Sequence, residues 1–202
     1  MITIIDYGMG NLGSLLNMIR HVGGEAKITS SIDEISEAKK IILPGVGRMD
    51  TGMKILKNTK IDQAIYLAKK NINTKILGVC LGMHLLFDTS EEGNCKGLGL
   101  VSGKVKKFKF KQKTLKVPHM GWNSINFKKE SNLFSFSKEK QYYYFVHSYY
   151  VECKNSKNIV ATCNYGHEFT CALEENNIFG VQFHPEKSHA AGKKLCKKFM
   201  QL

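Results

Sequence analysis

Residues 2–87 alternate short apolar runs with amphipathic stretches, and this alternation constrains the fold more than any other feature of the chain. Apolar runs predict strands at residues 2–5, 41–43 and 76–79, with a weaker strand at 26–28. Apolar side chains at helical spacing predict helices at 11–22, 32–38 and 61–70, and a further helix is predicted at 81–87. Strands that alternate with helices in this way predict a parallel, doubly wound sheet.

The second half of the chain changes to closely spaced β-like segments. Strands are predicted at 101–110, 115–117, 142–146, 149–153, 159–163, 169–173 and 178–183, with turns at 165–166 and 175–177. Residues 189–200 predict a closing helix with its lysines facing outward. No linker or repeat interrupts residues 1–202, so we expect one α/β domain with a flavodoxin-like, doubly wound, mostly parallel central sheet and an additional antiparallel portion.

Composition narrows the classes of protein to consider. The formal net charge is +13, but the lysines between residues 104 and 113 are scattered and no RNA-binding motif accompanies them. A solvated basic surface is therefore preferred over nucleic-acid binding, and docking to an acidic subunit stays open. No apolar run approaches the roughly 20 residues of a membrane helix. None of the six cysteines forms a CxxC pair, which argues against a zinc ribbon or a thioredoxin-type site, and no metal or cofactor is expected. Residues 1–6 have no basic region before their short apolar stretch, so no secretory signal is expected and we predict a cytoplasmic chain with reduced thiols.

Residues 78–82 have the pattern Gly-x-Cys-x-Gly, where a predicted buried strand passes into a predicted helix. The pattern is the cysteine counterpart of a nucleophile elbow, in which two glycines allow a sharp turn. Such a turn exposes the Cys80 thiol at the carboxyl edge of the sheet, and the start of the following helix favours the thiolate. It also places the backbone N–H of Leu81 to bind an oxyanion. The plainer interpretation is a buried structural cysteine with glycines needed only for packing.

A second motif begins where an apolar run ends at His184 and Pro185 fixes the backbone. Glu186 is two residues further on, so an extended backbone places its carboxylate on the same side as the imidazole. A carboxylate beside the ring holds its tautomer and stabilises the imidazolium. Together with Cys80, these residues are predicted to form a nucleophile, a base and an orienting group. An ordinary His-Pro turn is the alternative.

The third motif is the Leu-Pro-Gly-Val-Gly segment at residues 43–47, which follows a predicted strand. Its glycines permit backbone conformations that are closed to other residues. The segment is therefore a candidate for the second oxyanion donor, through a backbone N–H near Gly47.

The chain resembles the class I glutamine amidotransferases, through residues 78–83 together with His184, Pro185 and Glu186. Residues 6–12, 43–47, 118–123, 144–149 and 182–188 resemble, more narrowly, the glutaminase subunits of imidazole glycerol phosphate synthases. The resemblance runs over nearly the whole domain. The Asp-Tyr-Gly-Met-Gly-Asn start and the His-Met-Gly-Trp-Asn segment are specific to those subunits, whereas the cysteine elbow is common to the class.

The resemblance implies that Cys80 attacks the side-chain amide of glutamine, that His184 protonates the departing ammonia, and that water hydrolyses the glutamyl thioester. It also implies residues that surround the bound glutamine: Gly47, Leu81, Gly82, Ser148 and Tyr149.

The implied partner is a (β/α)₈-barrel synthase subunit in a heterodimer, in which ammonia is used to make imidazole glycerol phosphate and an aminoimidazole carboxamide ribotide. Trp122 and Lys187 match positions that face this partner. No nucleic acid or membrane is expected to bind.

One residue departs from the pattern of the family. His84 lies four residues after the nucleophile, where relatives usually have a Gln that helps to hold glutamine. We expect His84 to be a neutral, substrate-positioning replacement, with a pKa lowered by the helix start, and not a second base. The alternatives are a paralogous glutaminase that supplies another partner, such as a sugar amidotransferase, and a non-catalytic nucleic-acid or scaffold protein, which only the charge suggests.

Overall fold

The computed structural model describes residues 1–110, 115–134 and 139–202. Its helices are α1 Leu12–His21, α2 Ile32–Ser36, α3 Met49–Asn58, α4 Ile61–Lys70, α5 Leu81–Leu85 and α6 His189–Gln201. The strands of the first half are β1 Ile2–Ile5, β2 Ala26–Thr29, β3 Lys40–Leu43, β4 Lys75–Val79, β5 Phe87–Ser90 and β6 Cys95–Lys96. Those of the second half are β7 Val101–Lys107, β8 His119–Phe127, β9 Gln141–His147, β10 Tyr149–Cys153, β11 Ile159–Asn164, β12 Glu168–Glu175 and β13 Ile178–Val181.

The strands of the described residues form one sheet in the order β2–β1–β3–β4–β13–β12–β10–β7–β5–β6, with β11 beside β12, β8 beside β11 and β9 beside β8. The strands β2, β1, β3, β4 and β13 are parallel to one another, and β12 is antiparallel to β13. From β12 to β10 and β7, and through β11, β8 and β9, the pairing is antiparallel. The predicted fold class, a doubly wound parallel sheet with an antiparallel addition, is confirmed.

Apolar side chains cover both faces of the parallel strands, as a doubly wound fold requires. On one face, Ile41 and Leu43 pack in the same cluster as residues of α3 and α4. On the other face, Ile42 and Leu77 pack in the same cluster as residues of α1 and α6. Ser31 caps α2 by accepting a hydrogen bond from Glu34 N at 3.4 Å. No helix in the described ranges has the length and apolar character needed to cross a membrane.

Two of the predicted elements are wrong in their extent or type. The predicted helix at 81–87 ends at Leu85, because the carbonyl groups of Leu85 and Phe87 accept hydrogen bonds from Leu98 N and Gly99 N and draw the chain back into the sheet. The predicted strand at 115–117 is irregular backbone. There the Tyr165 hydroxyl donates to the Lys116 carbonyl at 2.8 Å.

Other differences concern length and omission. The strands predicted at 101–110 and 178–183 end at Lys107 and Val181. No helix was predicted at α3 and no strand at β8, although residues 118–123 were noted for their resemblance to a family. Residues 111–114, in the lysine-bearing stretch, lie outside the described residues.

Backbone packing at the end of β4 sets the position of Cys80. A Cβ atom on Gly82 would stand 1.7 Å from the Leu43 carbonyl oxygen, and one on Gly78 would stand 2.6 Å from the Gly82 carbonyl oxygen. Contacts under about 3 Å with backbone atoms cannot be relieved by a side-chain rotation. Only glycine at both positions therefore allows β4, α5 and the end of β3 to meet.

We predict that Gly82→Ala destabilises the protein by about 1–3 kcal/mol or more, because the new methyl group forces β3 away from α5. The matched control is Gly13→Ala in α1, where a Cβ meets nothing within 4 Å and alanine should stabilise the helix slightly. Urea unfolding of the two variants and wild type measures both effects. Equal midpoints for wild type and Gly82→Ala would contradict the packing argument.

Candidate active site

Cys80 lies between β4 and α5, at the carboxyl end of a strand that is paired on both sides by parallel neighbours. Its backbone has φ +53° and ψ −109°, a conformation that a non-glycine residue adopts only when its surroundings enforce it. Its N–H donates to Val181 O at 2.8 Å and its carbonyl accepts from Met83 N at 3.0 Å. The predicted sharp turn between strand and helix is therefore present.

His184 follows β13, the strand that pairs with β4. Its Nδ1 lies 2.8 Å from Oε1 of Glu186, and the side chains are only 3% and 4% exposed. Residues Pro185–Lys187 form a 3₁₀ turn, so the extended backbone assumed from the sequence is wrong. The turn nevertheless brings the carboxylate to the ring. The Ser188 hydroxyl donates to the His184 carbonyl at 2.6 Å and accepts from Tyr144 N at 3.0 Å, which fixes this segment against β9.

The surroundings of His184 favour its charged form. Burial lowers the pKa of His184, but the Cys80 thiol and the Glu186 carboxylate outweigh burial and raise it to about 10. Nε2 of the same ring is buried and has no hydrogen-bond partner within the described residues. Cys80 and Glu186 each raise the pKa of His184 through a side-chain hydrogen bond and through a charge interaction. The arrangement favours an imidazolium at His184 that the Glu186 carboxylate holds.

A cavity of about 230 Å³ opens beside Cys80. This volume is several times the roughly 30 Å³ of a water molecule. Its lining contains six of the residues singled out in the sequence: Gly47, Cys80, Leu81, His84, Ser148 and Tyr149. Gly82 does not line it and instead packs against the Leu43 carbonyl. A larger cavity of about 600 Å³ lies between β9 and α6 and contains none of Cys80, His184 and Glu186.

His84 is 4% exposed and belongs to a short series of hydrogen-bonded polar side chains that ends at Cys80. Its Nε2 lies 2.8 Å from Oε1 of Gln182, and the Gln182 amide N–H points to the Cys80 sulfur at 3.9 Å. Burial lowers the pKa of His84 to about 4, against a smaller opposing effect of Gln182. The cause of the lowered pKa is thus burial, and not the helix start assumed from the sequence. A neutral His84 donates to Gln182 and orients its amide toward the sulfur.

The loop at residues 44–47 packs directly onto the elbow. The Tyr7 hydroxyl donates to the Pro44 carbonyl at 2.7 Å, and a Cβ on Gly45 would stand 2.3 Å from that hydroxyl and 2.9 Å from the Leu81 Cβ. Gly47 has φ +129°, which favours glycine. The loop is therefore held against Leu81 at the mouth of the cavity.

Sequence reasoning missed Gln182 and Glu92. Gln182 is a fully buried polar residue immediately after an apolar strand, and that contrast is a signal that can be read from the sequence. Glu92 is 8% exposed, lines the cavity and accepts a hydrogen bond from Met49 N at 2.8 Å. It follows a polar stretch with no periodic pattern, so no local signal marks it.

Trp122 and Lys187 lie outside the cavity, on the outer face of the β8–β9 pair. Trp122 is 47% exposed and stacks on His189 at 5.2 Å between ring centroids. Lys187 Nζ lies 5.5 Å from the centroid of the Tyr144 ring, which also contacts Trp122. Met120, 60% exposed, lies on the same face, because Met120 and Trp122 are two residues apart on one strand. These residues form an exposed apolar patch with one cation.

Comparison with known proteins assigns the chain to a family. The family model of glutamine amidotransferase class-I matches residues 3–202. The chain belongs to the class-I glutamine amidotransferase family. A solved glutamine amidotransferase superposes with a TM-score of 0.76 over 98% of this chain and 97% of its own, at 14% identity, and so supports the fold alone.

Within that family the chain groups with the imidazole glycerol phosphate synthase subunits HisH, and the resemblance carried by the sequence motifs is confirmed. The subunit HisH 2 of Methanococcus maripaludis is 50% identical over 201 residues, which cover 100% of this chain and 99% of the relative. The subunit HisH 2 of Pseudomonas aeruginosa is 43% identical over 202 residues, with 100% of both chains covered.

The lowered pKa of His84 predicts a change of stability with pH. The pKa is about 4 in the folded chain and 6.5 in the unfolded chain, so the unfolded chain binds the proton more tightly between these values. The contribution of neutral His84 to the free energy of unfolding is therefore fully present above pH 6.5. It falls as the pH drops toward 4, by up to about 1.4 kcal/mol per pH unit. His84→Gln should reduce the slope by about one proton. Urea unfolding between pH 7 and 5 measures it, and an unchanged slope contradicts the prediction.

Proposed function

We propose that this chain is the glutaminase subunit of an imidazole glycerol phosphate synthase, and that it hydrolyses glutamine to glutamate and ammonia for histidine biosynthesis. The observation that carries the proposal is the Cys80 thiol at the wall of a small cavity, beside a His184 ring that a buried carboxylate holds. The full-length similarity to subunits HisH supports the choice within the family. We further propose that residues 1–202 are one catalytic domain, because the described strands form one sheet.

The mechanism follows from the arrangement of Cys80, His184 and Glu186. The Cys80 thiolate attacks the carboxamide carbon, and the backbone N–H groups of Leu81 and the Gly47 loop stabilise the oxyanion. The C–N bond breaks as the His184 imidazolium gives its proton to the departing ammonia. Water then attacks the glutamyl thioester, His184 takes a proton from it, and glutamate leaves as Cys80 is restored. Glu186 keeps the imidazole oriented and stabilises its charged form.

The lining of the cavity offers polar groups that suit glutamine. Glu92 is a carboxylate in the lining, and we assign to it the α-ammonium group of the substrate. Ser148, Tyr149 and His84 line the same cavity and supply polar groups around the remainder. His84 contributes through Gln182 as well, since its hydrogen bond directs the amide toward the Cys80 sulfur.

The partner is proposed to be a (β/α)₈-barrel subunit that docks on the patch of Met120, Trp122, Tyr144 and Lys187 to form a heterodimer. Exposed aromatic side chains beside a cation are the composition that interface centres favour. The cytoplasm is the proposed location, because all six cysteines are unpaired and suit a reducing compartment.

A second candidate keeps the glutaminase and changes the partner, for example to a sugar-modifying synthase. One feature of the sequence favours it: His84 stands where the resemblance to the family leads us to expect a Gln. Glutaminase activity measured with each candidate barrel and acceptor separates the two, because only the matched pair should stimulate hydrolysis.

The assignment of the nucleophile predicts that Cys80→Ala, in complex with the synthase partner, loses glutamine-dependent product formation and keeps product formation from added ammonium salts. The partner needs only free ammonia, so its chemistry is untouched. His184→Ala should lower kcat by about 10²–10⁴-fold, as loss of a general acid–base group does.

His84→Gln is the matched comparison for this prediction. It should keep most of kcat and change mainly the KM for glutamine, because His84 orients and binds rather than transfers a proton. Steady-state glutamate release measures all three variants. Residual hydrolysis by Cys80→Ala, or a collapse of kcat in His84→Gln with a mild effect in His184→Ala, would refute the assignment.

The docking proposal predicts that Trp122→Ala weakens partner binding by about thirtyfold, equivalent to about 2 kcal/mol for a central tryptophan. Leu67→Ala on α4 is the control, since Leu67 is also half exposed but lies outside the patch. Titration calorimetry with the purified barrel gives both affinities. Equal affinities for the two variants would place the interface elsewhere.

A further inference from the structure

Two imidazole rings are hydrogen-bonded to each other directly behind the cavity wall. Nδ1 of His119 lies 2.9 Å from Nε2 of His147, and the residues are 3% and 6% exposed. They stand opposite each other in the antiparallel β8–β9 pair. His147 and the two residues that follow it, Ser148 and Tyr149, line the cavity.

The direction of this hydrogen bond is fixed from the cavity side. Nδ1 of His147 lies 2.7 Å from the Tyr149 carbonyl oxygen, which can only accept, so this nitrogen carries the proton. In the neutral ring Nε2 then has the lone pair, and Nδ1 of His119 must be the donor to it. The second nitrogen of His119, Nε2, is consequently an acceptor.

The hydrogen bonds of Asn123, at the other end of this series, independently require the same donor direction. The Asn123 amide nitrogen lies 3.2 Å from His119 Nε2 and 3.0 Å from the Asn164 carbonyl, while its oxygen accepts from Ser124 N at 2.8 Å. Turning the amide over would oppose two acceptors at Asn164 and two donors at Ser124. The amide therefore donates to His119, and every bond from Asn123 to Tyr149 points the same way.

Aromatic side chains hold the rings of this chain in place. His119 lies between Phe145, at 4.8 Å between centroids and 27° between planes, and Tyr165, at 4.1 Å and 26°. His147 contacts Phe108 and Phe169 at 5.3 and 5.2 Å. The rings cannot exchange partners by rotating without unpacking these contacts.

We propose that Asn123 and His119 are positioning residues for the glutamine cavity. They hold His147 in its neutral Nδ1–H tautomer, and the bond from that tautomer to the Tyr149 carbonyl fixes the Ser148–Tyr149 wall. The proposal rests on the proposed glutaminase function and adds to it a set of groups that touch neither the substrate nor the reacting atoms.

With Asn123 as the donor to His119, this series of hydrogen bonds requires both rings to be neutral. A proton on His147 Nε2 would face the His119 N–H, and a proton on His119 Nε2 would face the Asn123 amide N–H. Burial lowers the pKa of His119 to about 4 and that of His147 well below its usual value. The titratable groups that act on His147 are His119, His84 and His184, and all three disfavour its charge, whereas the Tyr149 carbonyl alone favours it.

The test replaces the donor at the start of the chain by an acceptor of the same shape. In Asn123→Asp the carboxylate faces His119 Nε2 and stabilises a proton there. At acid pH the resulting imidazolium still donates to His147, so the KM for glutamine should stay close to wild type. As the pH rises and that ring loses one proton, the remaining one stays on Nε2, the bond to His147 is lost, and KM should rise about tenfold, with a smaller change in kcat.

Asn126→Asp is the matched control, because it makes the same chemical change at an exposed position of β8. Wild type and Asn126→Asp, each with the synthase partner, should show no such step in KM between pH 6 and 8.5. A rescue pair adds a second measurement: His119→Asn offers an amide N–H to His147 Nε2 and should retain more glutamine affinity than His119→Leu.

Long-range ¹⁵N–¹H NMR of the full-length chain reads the tautomers without any assay of activity. The proposal requires Nδ1–H tautomers of both His119 and His147 in wild type from pH 6 to 8, and Nε2 protonation of His119 in Asn123→Asp. A wild-type Nε2–H tautomer at His147, or identical KM profiles for Asn123→Asp and Asn126→Asp, overturns it. Wild type without any glutaminase activity would instead overturn the proposed function.

Discussion

Gly82 lies so close to the end of β3 that a Cβ atom on it would stand 1.7 Å from the Leu43 carbonyl oxygen. This contact brings α5 and the loop at residues 44–47 together, and Tyr7 closes the arrangement by donating to the Pro44 carbonyl. The cavity exists because Cys80 and Leu81 on one side and Gly47 on the other are held by that shared packing. Cys80 and the loop at residues 44–47 therefore form one packed unit, whose geometry is set by backbone atoms more than by side chains.

Four buried imidazoles surround this unit, and their environments divide them into two kinds. His184 shares a hydrogen bond with a carboxylate and has a pKa raised to about 10, although burial opposes the charge. His84 and His119 have amide or imidazole partners, and burial lowers the pKa of each to about 4. Desolvation acts on all of them, so the presence of a charged partner decides which ring carries a proton at neutral pH. One imidazole is thus suited to proton transfer and the others to fixed hydrogen bonding.

Local patterns were sufficient for the parallel strands and for the elbow, because each depends on neighbours in sequence: apolar runs, and glycines two residues either side of Cys80. They failed for residues whose contacts depend on pairing between segments that are distant in sequence. Gln182 reaches Cys80 only because β13 pairs with β4, and Asn123 reaches the cavity wall only through the register of β8 and β9. The helix α3 was missed although its buried Met49, Met53 and Leu56 stand at helical spacing, because Asp50, Thr51 and Gly52 give its first turn a weak helical preference, which packing outweighs.

The strand β8 has two faces with different tasks. Met120 and Trp122 point outward into the patch, while His119 and Asn123 point inward toward the cavity wall. Successive residues of a strand alternate between faces, so a slip of one residue would exchange the two sets completely. An insertion or deletion in this strand would therefore disrupt the exposed patch and the support of the cavity wall in a single event. A change in the length of β8 therefore affects the exposed patch and the cavity wall together. Only substitutions at alternate positions of the strand alter one of them alone.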